Sequence, residues 1–145
     1  SNVLFLYTPP AAYAERIAGK VLVAPMRLRL WPEKNREPDL LFLADAGDPR
    51  RQNAFWTGAD LVMEVVSPDD PQRDLVVKRA EYAQAGIPEY WIVDPQAEEI
   101  TVLHLSADGE ETAYVEFGRF GRGATAASAT YSDLTADVAA VLDAD

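Results

Sequence analysis

Apolar and polar residues from Asp60 to Asp94 follow the order strand, helix, strand. The first strand, LVMEVV (61–66), is apolar except for Glu64. Side chains alternate along a strand, so Glu64 shares a face with Val62 and Val66. An ionised carboxylate in such a place costs several kcal/mol, as an order of magnitude, unless a cation or hydrogen-bond donors compensate it. The pattern therefore predicts a positively charged partner for Glu64.

The segment between these two strands has the signals of a helix. Acidic residues precede Pro71, which is tolerated in a first turn, and Gly86 is an expected C-terminal stop. The helix is predicted to run from about residue 71 to Ala85, with Leu75 and Val76 in its apolar stripe. Strand, helix and strand together predict a βαβ unit with a right-handed crossover.

Shorter periodic segments flank this unit on both sides. They predict, in chain order, a helix over Ala11–Ala18 capped by Thr8, a strand over Val21–Leu30 with a bulge or edge at Pro25, a polar loop over Trp31–Glu37, a strand over Asp39–Asp45, a hairpin with its turn at Ala107–Gly109, a loop over Gly118–Thr130 and a last helix over Leu134–Leu142. The fold class predicted is α/β, with a mixed central β-sheet flanked by helices.

The composition limits the choice of partners. With 145 residues, the chain is expected to form a single domain over residues 1–145. It carries 24 acidic and 13 basic side chains, a net charge of −11, which opposes non-specific attraction to nucleic acid. Any role on nucleic acid must therefore be local or assisted by a metal ion.

Several catalytic classes lack their residues. The chain has no cysteine and one histidine, His104, and it contains neither GxSxG nor a phosphate-binding P-loop. Thiolate and Ser-His hydrolases are thereby excluded. No apolar run approaches the length of a membrane span and no signal peptide is evident, so a cytoplasmic location is expected. The opening Ser1-Asn2 lacks a methionine, and the N-terminal helical part is expected to be truncated.

Three residues could carry chemistry together. Asp39 enters the strand that precedes the one holding Glu64, and strands that are sequential in the chain often neighbour each other in a sheet. Two carboxylates at one place, with room for water, suit Mg²⁺ or Mn²⁺. Lys78, on the predicted helix, could orient a water molecule or balance the charge of a phosphate. The combination fits hydrolysis of a phosphodiester bond.

These residues also carry a resemblance. The sequence resembles the Uma-two family of putative restriction endonucleases, in the PD-(D/E)XK nuclease superfamily, at Pro38-Asp39, at Glu64 with Ser67-Pro68, at Asp74, Lys78 and Tyr82, and at GIPEYWIVDP (86–95).

The resemblance implies a restriction-endonuclease-like fold and a metal-dependent DNA endonuclease. Asp39 and Glu64 take the places of the two metal-binding acids of the superfamily. Val66 stands where the superfamily has its lysine, and Lys78 on the helix takes that role. The catalytic residues expected are therefore Asp39, Glu64 and Lys78, with Mg²⁺ or Mn²⁺ as cofactor. The partners expected are DNA, bound weakly, and a second copy of the chain in a homodimer.

Other interpretations of the same residues remain open. Asp39 could be an ordinary strand-entry residue, and Glu64 and Lys78 could form a purely structural ion pair. Asp60, Asp74 and Tyr82 are secondary site candidates. The domain could also be a catalytically inactive binding or assembly module that keeps the nuclease fold. Hydrolysis of a sugar by two carboxylates is a third possibility, but it needs a wide cleft lined with aromatic residues, and the sequence shows none clearly.

Overall fold

The computed structural model describes residues 2–106 and 112–144, with side chains described from Phe5 onward. The helices are α1 (Asn2–Ile17), α2 (Lys78–Gln84), which continues a π-helical turn (Arg73–Val77), and α3 (Val138–Leu142). The strands are β1 (Lys20–Val23), β2 (Leu28–Trp31), β3 (Lys34–Arg36), β4 (Leu40–Leu43), β5 (Leu61–Val65), β6 (Glu89–Asp94), β7 (Glu99–Leu105), β8 (Tyr114–Gly121), β9 (Thr125–Ala127) and β10 (Thr135–Asp137).

A mixed six-stranded sheet with the order β1-β4-β5-β6-β7-β8 is the centre of the fold. The pair β5–β6 is parallel and the other neighbours are antiparallel. The connection from β5 to β6 runs through α2, which confirms the predicted βαβ unit. The predicted α/β class with a mixed sheet is confirmed as well.

Apolar side chains pack on both faces of this sheet. One face lies against α1, α3 and the β9–β10 pair, and Leu6 and Val138 are fully buried there. The other, called the α2 face below, packs Tyr82 of α2 against Val62 and Tyr90 of the sheet. The α2 face is also the face of Glu64, because residues two apart on a strand point the same way. The carboxylate therefore lies between the sheet and α2.

The N-terminal helix is longer than predicted. It begins at Asn2 rather than near Ala11, and Pro9 and Pro10 lie inside it. Each proline removes an N–H donor from the helix. The prediction that these prolines begin the helix was wrong because burial of Leu6 fixes the preceding turns against the sheet.

The segment predicted as one strand over Val21–Leu30 is two strands. It divides around Pro25, which cannot donate a ladder hydrogen bond. Its first half pairs with β4, and its second half forms a hairpin with β3, which occupies the predicted polar loop. The hairpin β2–β3 thereby leaves the central sheet.

The C-terminal part also differs from the prediction. β8 extends to Gly121 and β9 follows within the predicted loop. The predicted last helix begins only at Val138, after the strand β10, and the Asp137 carboxylate accepts a hydrogen bond from Ala139 N at 3.1 Å. This cap explains where the helix begins. The predicted hairpin turn at Ala107–Gly109 lies outside the described residues.

The hairpin β2–β3 is tied to α2 by a network of charges. Glu81 on α2 lies 2.8 Å from the ammonium nitrogen of Lys34 and 2.6 Å from the guanidinium of Arg36. The Glu81 side chain is 15% exposed, so the pairs are shielded from water more than surface pairs are. This network fixes the hairpin beside the helix that carries Lys78.

No helix in the described part of the chain is long and apolar enough to span a bilayer.

Replacement of Glu81 by glutamine is expected to lower the free energy of unfolding by about 1–2 kcal/mol at pH 7. Burial alone would raise the pKa of Glu81, but Lys34 and Arg36 outweigh it and hold the pKa below its ordinary value of 4.5. The stability from this carboxylate is thus present above about pH 4.5 and is lost as the pH falls through the lower, folded-state pKa. The measurement is urea unfolding of both proteins between pH 3 and pH 8, about the range over which carboxylates titrate.

Glu15→Gln is a matched control, because Glu15 is exposed on α1 and has no ion pair with a described residue. It should change stability by less than about 0.5 kcal/mol at every pH. A Glu81→Gln deficit that is constant with pH would contradict the charge network.

Candidate active site

Two neighbouring strands bring Asp39 and Glu64 together. In the antiparallel pair β4–β5, Leu40 lies opposite Met63, so Asp39, one residue before β4, lies beside Glu64. Asp39 N donates a hydrogen bond to Glu64 Oε1 at 3.3 Å. In return, Val65 N donates to Asp39 Oδ2 at 2.7 Å. The strand ends therefore hold both carboxylates at one place on the sheet.

Lys78 supplies the positive charge that the sequence pattern demands. Its ammonium nitrogen lies 2.9 Å from Glu64 Oε2 and 2.9 Å from Asp74 Oδ1. The side chains of the two acids are 3% and 2% exposed, and that of Lys78 is 14% exposed. This is a buried ion-pair network of two acids and one base. The contact with Asp74 is also the i,i+4 pair that the sequence allowed.

Two tyrosines support the acids from the side of the core. Tyr82 OH donates to Glu64 Oε2 at 2.7 Å, and Tyr90 OH donates to the backbone oxygen of Asp74 at 3.1 Å. The two rings pack edge to face, with centroids 5.0 Å apart. Burial raises the pKa of Tyr82 well above its ordinary value, so its hydroxyl remains a donor to Glu64. Gly86, at φ +79°, ends the helix that carries Tyr82, and Ile87 N donates to Tyr82 O.

A π-helical turn aims Asp74 into the site. The backbone N–H of Lys78 donates to Arg73 O, five residues earlier, which is the π-helical spacing. Asp74 is 2% exposed, whereas Val76, which was predicted to belong to the buried stripe, is 55% exposed. The prediction for Val76 was wrong because Asp74 faces the sheet, and a residue two positions later lies on the far side of the helix. Such single π turns are frequent at functional sites.

Sequence reasoning underrated Asp74, which was only a secondary candidate. A polar series at Asp74, Lys78 and Tyr82, spaced by four residues, was the available signal, since such residues lie on one helix face. Asp74 Oδ2 accepts a hydrogen bond from Ser67 N at 3.1 Å. Asp74 Oδ1 is buried and accepts no aligned hydrogen bond, although the Lys78 ammonium lies beside it. The charge on this oxygen is therefore compensated by the ion pair with Lys78.

Burial shifts two acids of this cluster, Asp39 and Glu64, toward the neutral form. Desolvation raises the pKa of Glu64 above its ordinary value, against the opposing effects of Lys78 and Tyr82. Desolvation also raises the pKa of Asp39, against the hydrogen bond from Val65. For Lys78, burial opposes the charge, but the contacts with Glu64 and Asp74 outweigh burial and raise its pKa. Lys78 is therefore an ammonium at neutral pH, and the cluster has three acids for one cation.

Two residues considered from the sequence lie elsewhere. Asp60 accepts a hydrogen bond from Ala44 N at 2.9 Å and pairs with Arg50 at 2.7 Å, so it fastens the loop before β5. These contacts give Asp60 a structural role in that loop. His104 lies on β7 with its ring against Phe117.

A cleft of about 550 Å³ opens over Lys78. Its walls come from the β2–β3 hairpin on one side and from the π-helical turn on the other. The residues that line it are Arg27, Asn35, Arg36, Glu37, Arg73 and Lys78. Lys78 is thus the point at which the buried acids meet a solvent-filled cleft.

The donor set can be tested for a divalent ion. Asp39, Glu64 and Asp74 offer only carboxylate oxygens, which suit Mg²⁺ and Mn²⁺. Within residues 2–106 and 112–144, however, no three acidic or histidine side chains form a complete metal cluster. Mg²⁺ commonly binds through one or two carboxylates and keeps its remaining ligands as water. The pair of Asp39 and Glu64, with an open cleft beside it, fits that mode of binding.

The buried ion pairs predict a specific stability pattern. Lys78→Met is expected to lower the free energy of unfolding by about 3–5 kcal/mol at pH 7, because it leaves Glu64 and Asp74 buried without a cation. Adding Glu64→Gln to Lys78→Met should recover part of that loss, since one uncompensated charge is removed. The measurement is a double-mutant cycle by urea unfolding.

Arg79→Met is the matched control, because Arg79 is the next residue and pairs with no carboxylate among the described residues. It should change stability by no more than about 0.5 kcal/mol. Additive losses in Lys78→Met and Glu64→Gln would show that the two side chains are not coupled.

Comparisons with known proteins agree with this architecture. The structure is similar to the crystal structure of a putative nuclease belonging to DUF820 from Anabaena variabilis ATCC 29413, with a TM-score of 0.71 and 14% sequence identity. The match covers 97% of this chain and 78% of that one, and at this identity it shows the fold. No curated protein matches the chain significantly. Residues 4–139 match the family Uma2, described as putative restriction endonuclease, and the chain belongs to that family.

Proposed function

We propose that this protein is a Mg²⁺- or Mn²⁺-dependent endonuclease that hydrolyses phosphodiester bonds in DNA. The observation that carries the proposal is the cluster of Asp39, Glu64 and Asp74, in which Lys78 pairs with Glu64 and Asp74 and lines a cleft. Three acids and one cation leave an excess of negative charge, which a divalent ion would neutralise. Membership of a family described as putative restriction endonuclease supports the same reaction class.

The proposed roles follow from the contacts. Asp39 and Glu64 would hold the ion, with Tyr82 fixing the orientation of the Glu64 carboxylate. When bound there, the ion would lower the pKa of a coordinated water and neutralise charge on the phosphate. Lys78 would orient the attacking water or stabilise charge on the phosphate in the transition state. It would not act as a general base, because its contacts keep it protonated.

The overall charge bears on the form of the enzyme. A single chain with net charge −11 offers few contacts to a polyanion. We also propose a homodimer as the active form, because two-fold pairing is the commonest assembly and two sites could reach both strands of a duplex. Light scattering of the free protein and of its DNA complex would establish the number of chains.

Substitution of the proposed catalytic residues should abolish cleavage. Asp39→Asn, Glu64→Gln and Lys78→Ala are each expected to slow cleavage of plasmid DNA at least about a hundredfold, since each removes a few kcal/mol of transition-state stabilisation. The assay measures nicked and linear products at low salt, with Mn²⁺, with Mg²⁺ and with a chelator.

Asp133→Asn is a control for the loss of one surface carboxylate, because the Asp133 side chain is 72% exposed. It should cleave as the wild type does. Cleavage that continues in all three site variants would show that this cluster has no catalytic role.

Metal binding should be measurable as a gain in thermal stability, without any assay of DNA cleavage. At a free Mn²⁺ concentration of about a hundred times Kd, binding to the native state adds about 2.7 kcal/mol, which raises Tm by several degrees. Glu64→Gln is expected to remove this response, because it loses one of the two proposed ligands. An equal rise in the wild type and in Glu64→Gln would place the ion elsewhere on the acidic surface. Differential scanning calorimetry provides the measurement.

The second candidate is a catalytically inactive module that keeps the nuclease fold. It is favoured by the direct pairing of Lys78 with Glu64 and Asp74, which already compensates part of the buried charge. This candidate predicts no cleavage and no Glu64-dependent response to Mn²⁺, so the two assays above separate it from the nuclease.

A further inference from the structure

The cleft over Lys78 is basic although the protein is strongly acidic. Three arginines line it, together with Lys78 and a single acid, Glu37. Arg36 is already paired with Glu81. Arg27 and Arg73 differ, because neither guanidinium has an ion pair or hydrogen bond with another described residue. Both side chains are exposed and point to no partner within the described chain.

Five of the ten arginines, Arg16, Arg36, Arg50, Arg119 and Arg122, pair with acids of the described chain. Arg50 pairs with Asp48 and Asp60, and both Arg119 and Arg122 pair with acids beside them. Of the other five, Arg27 and Arg73 are the two that line the cleft, together with Lys78. Two such arginines at one cleft indicate a negatively charged ligand there.

The backbone of each arginine is fixed by hydrogen bonds. Arg27 O accepts from Trp56 N at 2.9 Å, and Trp56 is fully buried. Arg73 O accepts the π-helical hydrogen bond from Lys78 N. The two guanidiniums thus project from rigid elements on opposite walls of the cleft, with Lys78 between those walls.

We propose that Arg27 and Arg73 bind backbone phosphates of the DNA strand whose scissile bond lies over Lys78. The inference rests on the proposed function and names the residues that position its substrate. Arginine is suited to this role because its planar guanidinium forms paired hydrogen bonds with phosphate oxygens. Two or three contacts at one cleft also explain how a chain with net charge −11 could bind DNA locally.

The test is the salt dependence of DNA binding in the Glu64→Gln background, which prevents cleavage of the probe. Fluorescence anisotropy of a short labelled duplex, without metal, gives the affinity at several salt concentrations. Each lost phosphate contact lowers the magnitude of the slope of log K against log[salt] by about 0.9. The double variant Arg27→Ala/Arg73→Ala is expected to lower it by about 1.8 and to weaken binding at least about tenfold at low salt.

A matched control removes the same charge elsewhere. Arg119 and Arg122 lie in and just after β8, three strands from β5 in the sheet. Arg119→Ala/Arg122→Ala should leave the slope unchanged. Arg27→Lys/Arg73→Lys should restore the slope, because the charges return, but only part of the affinity, because paired hydrogen bonds are lost.

Several outcomes would overturn the inference. An unchanged slope in the Arg27→Ala/Arg73→Ala variant, an equal change in the Arg119→Ala/Arg122→Ala control, or no salt-dependent binding by the parent protein would each do so. If the slope is unchanged in Arg27→Ala/Arg73→Ala, or changes equally in the Arg119→Ala/Arg122→Ala control, metal-dependent cleavage that requires Glu64 would still support the proposed function. Conversely, loss of binding in Arg27→Ala/Arg73→Ala, with cleavage that does not require Glu64, would keep this cleft as the DNA site and exclude the proposed catalytic acids.

Discussion

The site depends on how the buried carboxylate of Glu64 is compensated. Placing an ionised acid between a sheet and a helix costs several kcal/mol, as an order of magnitude, unless a cation and hydrogen-bond donors compensate it. Lys78 and Tyr82 both reach Glu64 Oε2, and Asp39 N reaches Oε1. Lys78 and Tyr82 lie on α2 and Asp39 lies just before β4, so the Glu64 carboxylate is fully compensated only when β4, β5 and α2 are assembled.

That requirement explains the local irregularities around the site. Within the π-helical turn Arg73–Val77, Asp74 is buried while Val76 and Val77 are exposed. The same turn places the helix so that Lys78 faces the sheet. Glu81 of the same helix pairs with Lys34 and Arg36, which holds the β2–β3 hairpin beside the helix and so shapes the cleft. One helix therefore supplies the buried base, the support of the carboxylate and one wall of the cleft.

The features that sequence patterns predicted are those with a local signal. Alternation identified β5 and the face of Glu64, and Gly86 marked the end of the helix correctly. The limits of α1 were missed because packing of Leu6 outweighs the disruptive effect of two internal prolines. The π-helical turn was missed because its cause is tertiary: it satisfies Asp74 and Lys78 in the folded protein. The cleft was missed for a related reason: Arg27 and Arg73 are distant in sequence, and they line the same cleft only in the folded chain.

The position of the lysine shows how one site can be built from different elements. Val66, two residues after Glu64, points to the same face and is buried in the core of the α2 face. An ammonium on that residue would have to approach Glu64 along the strand, within the apolar cluster. From the helix, Lys78 instead crosses the gap between the two layers, and Asp74 in the preceding turn binds it from the other side. The ammonium is thereby paired with a second acid, and it is partly exposed to solvent at the cleft. A lysine carried by this helix is thus held by two acids and still faces the cleft.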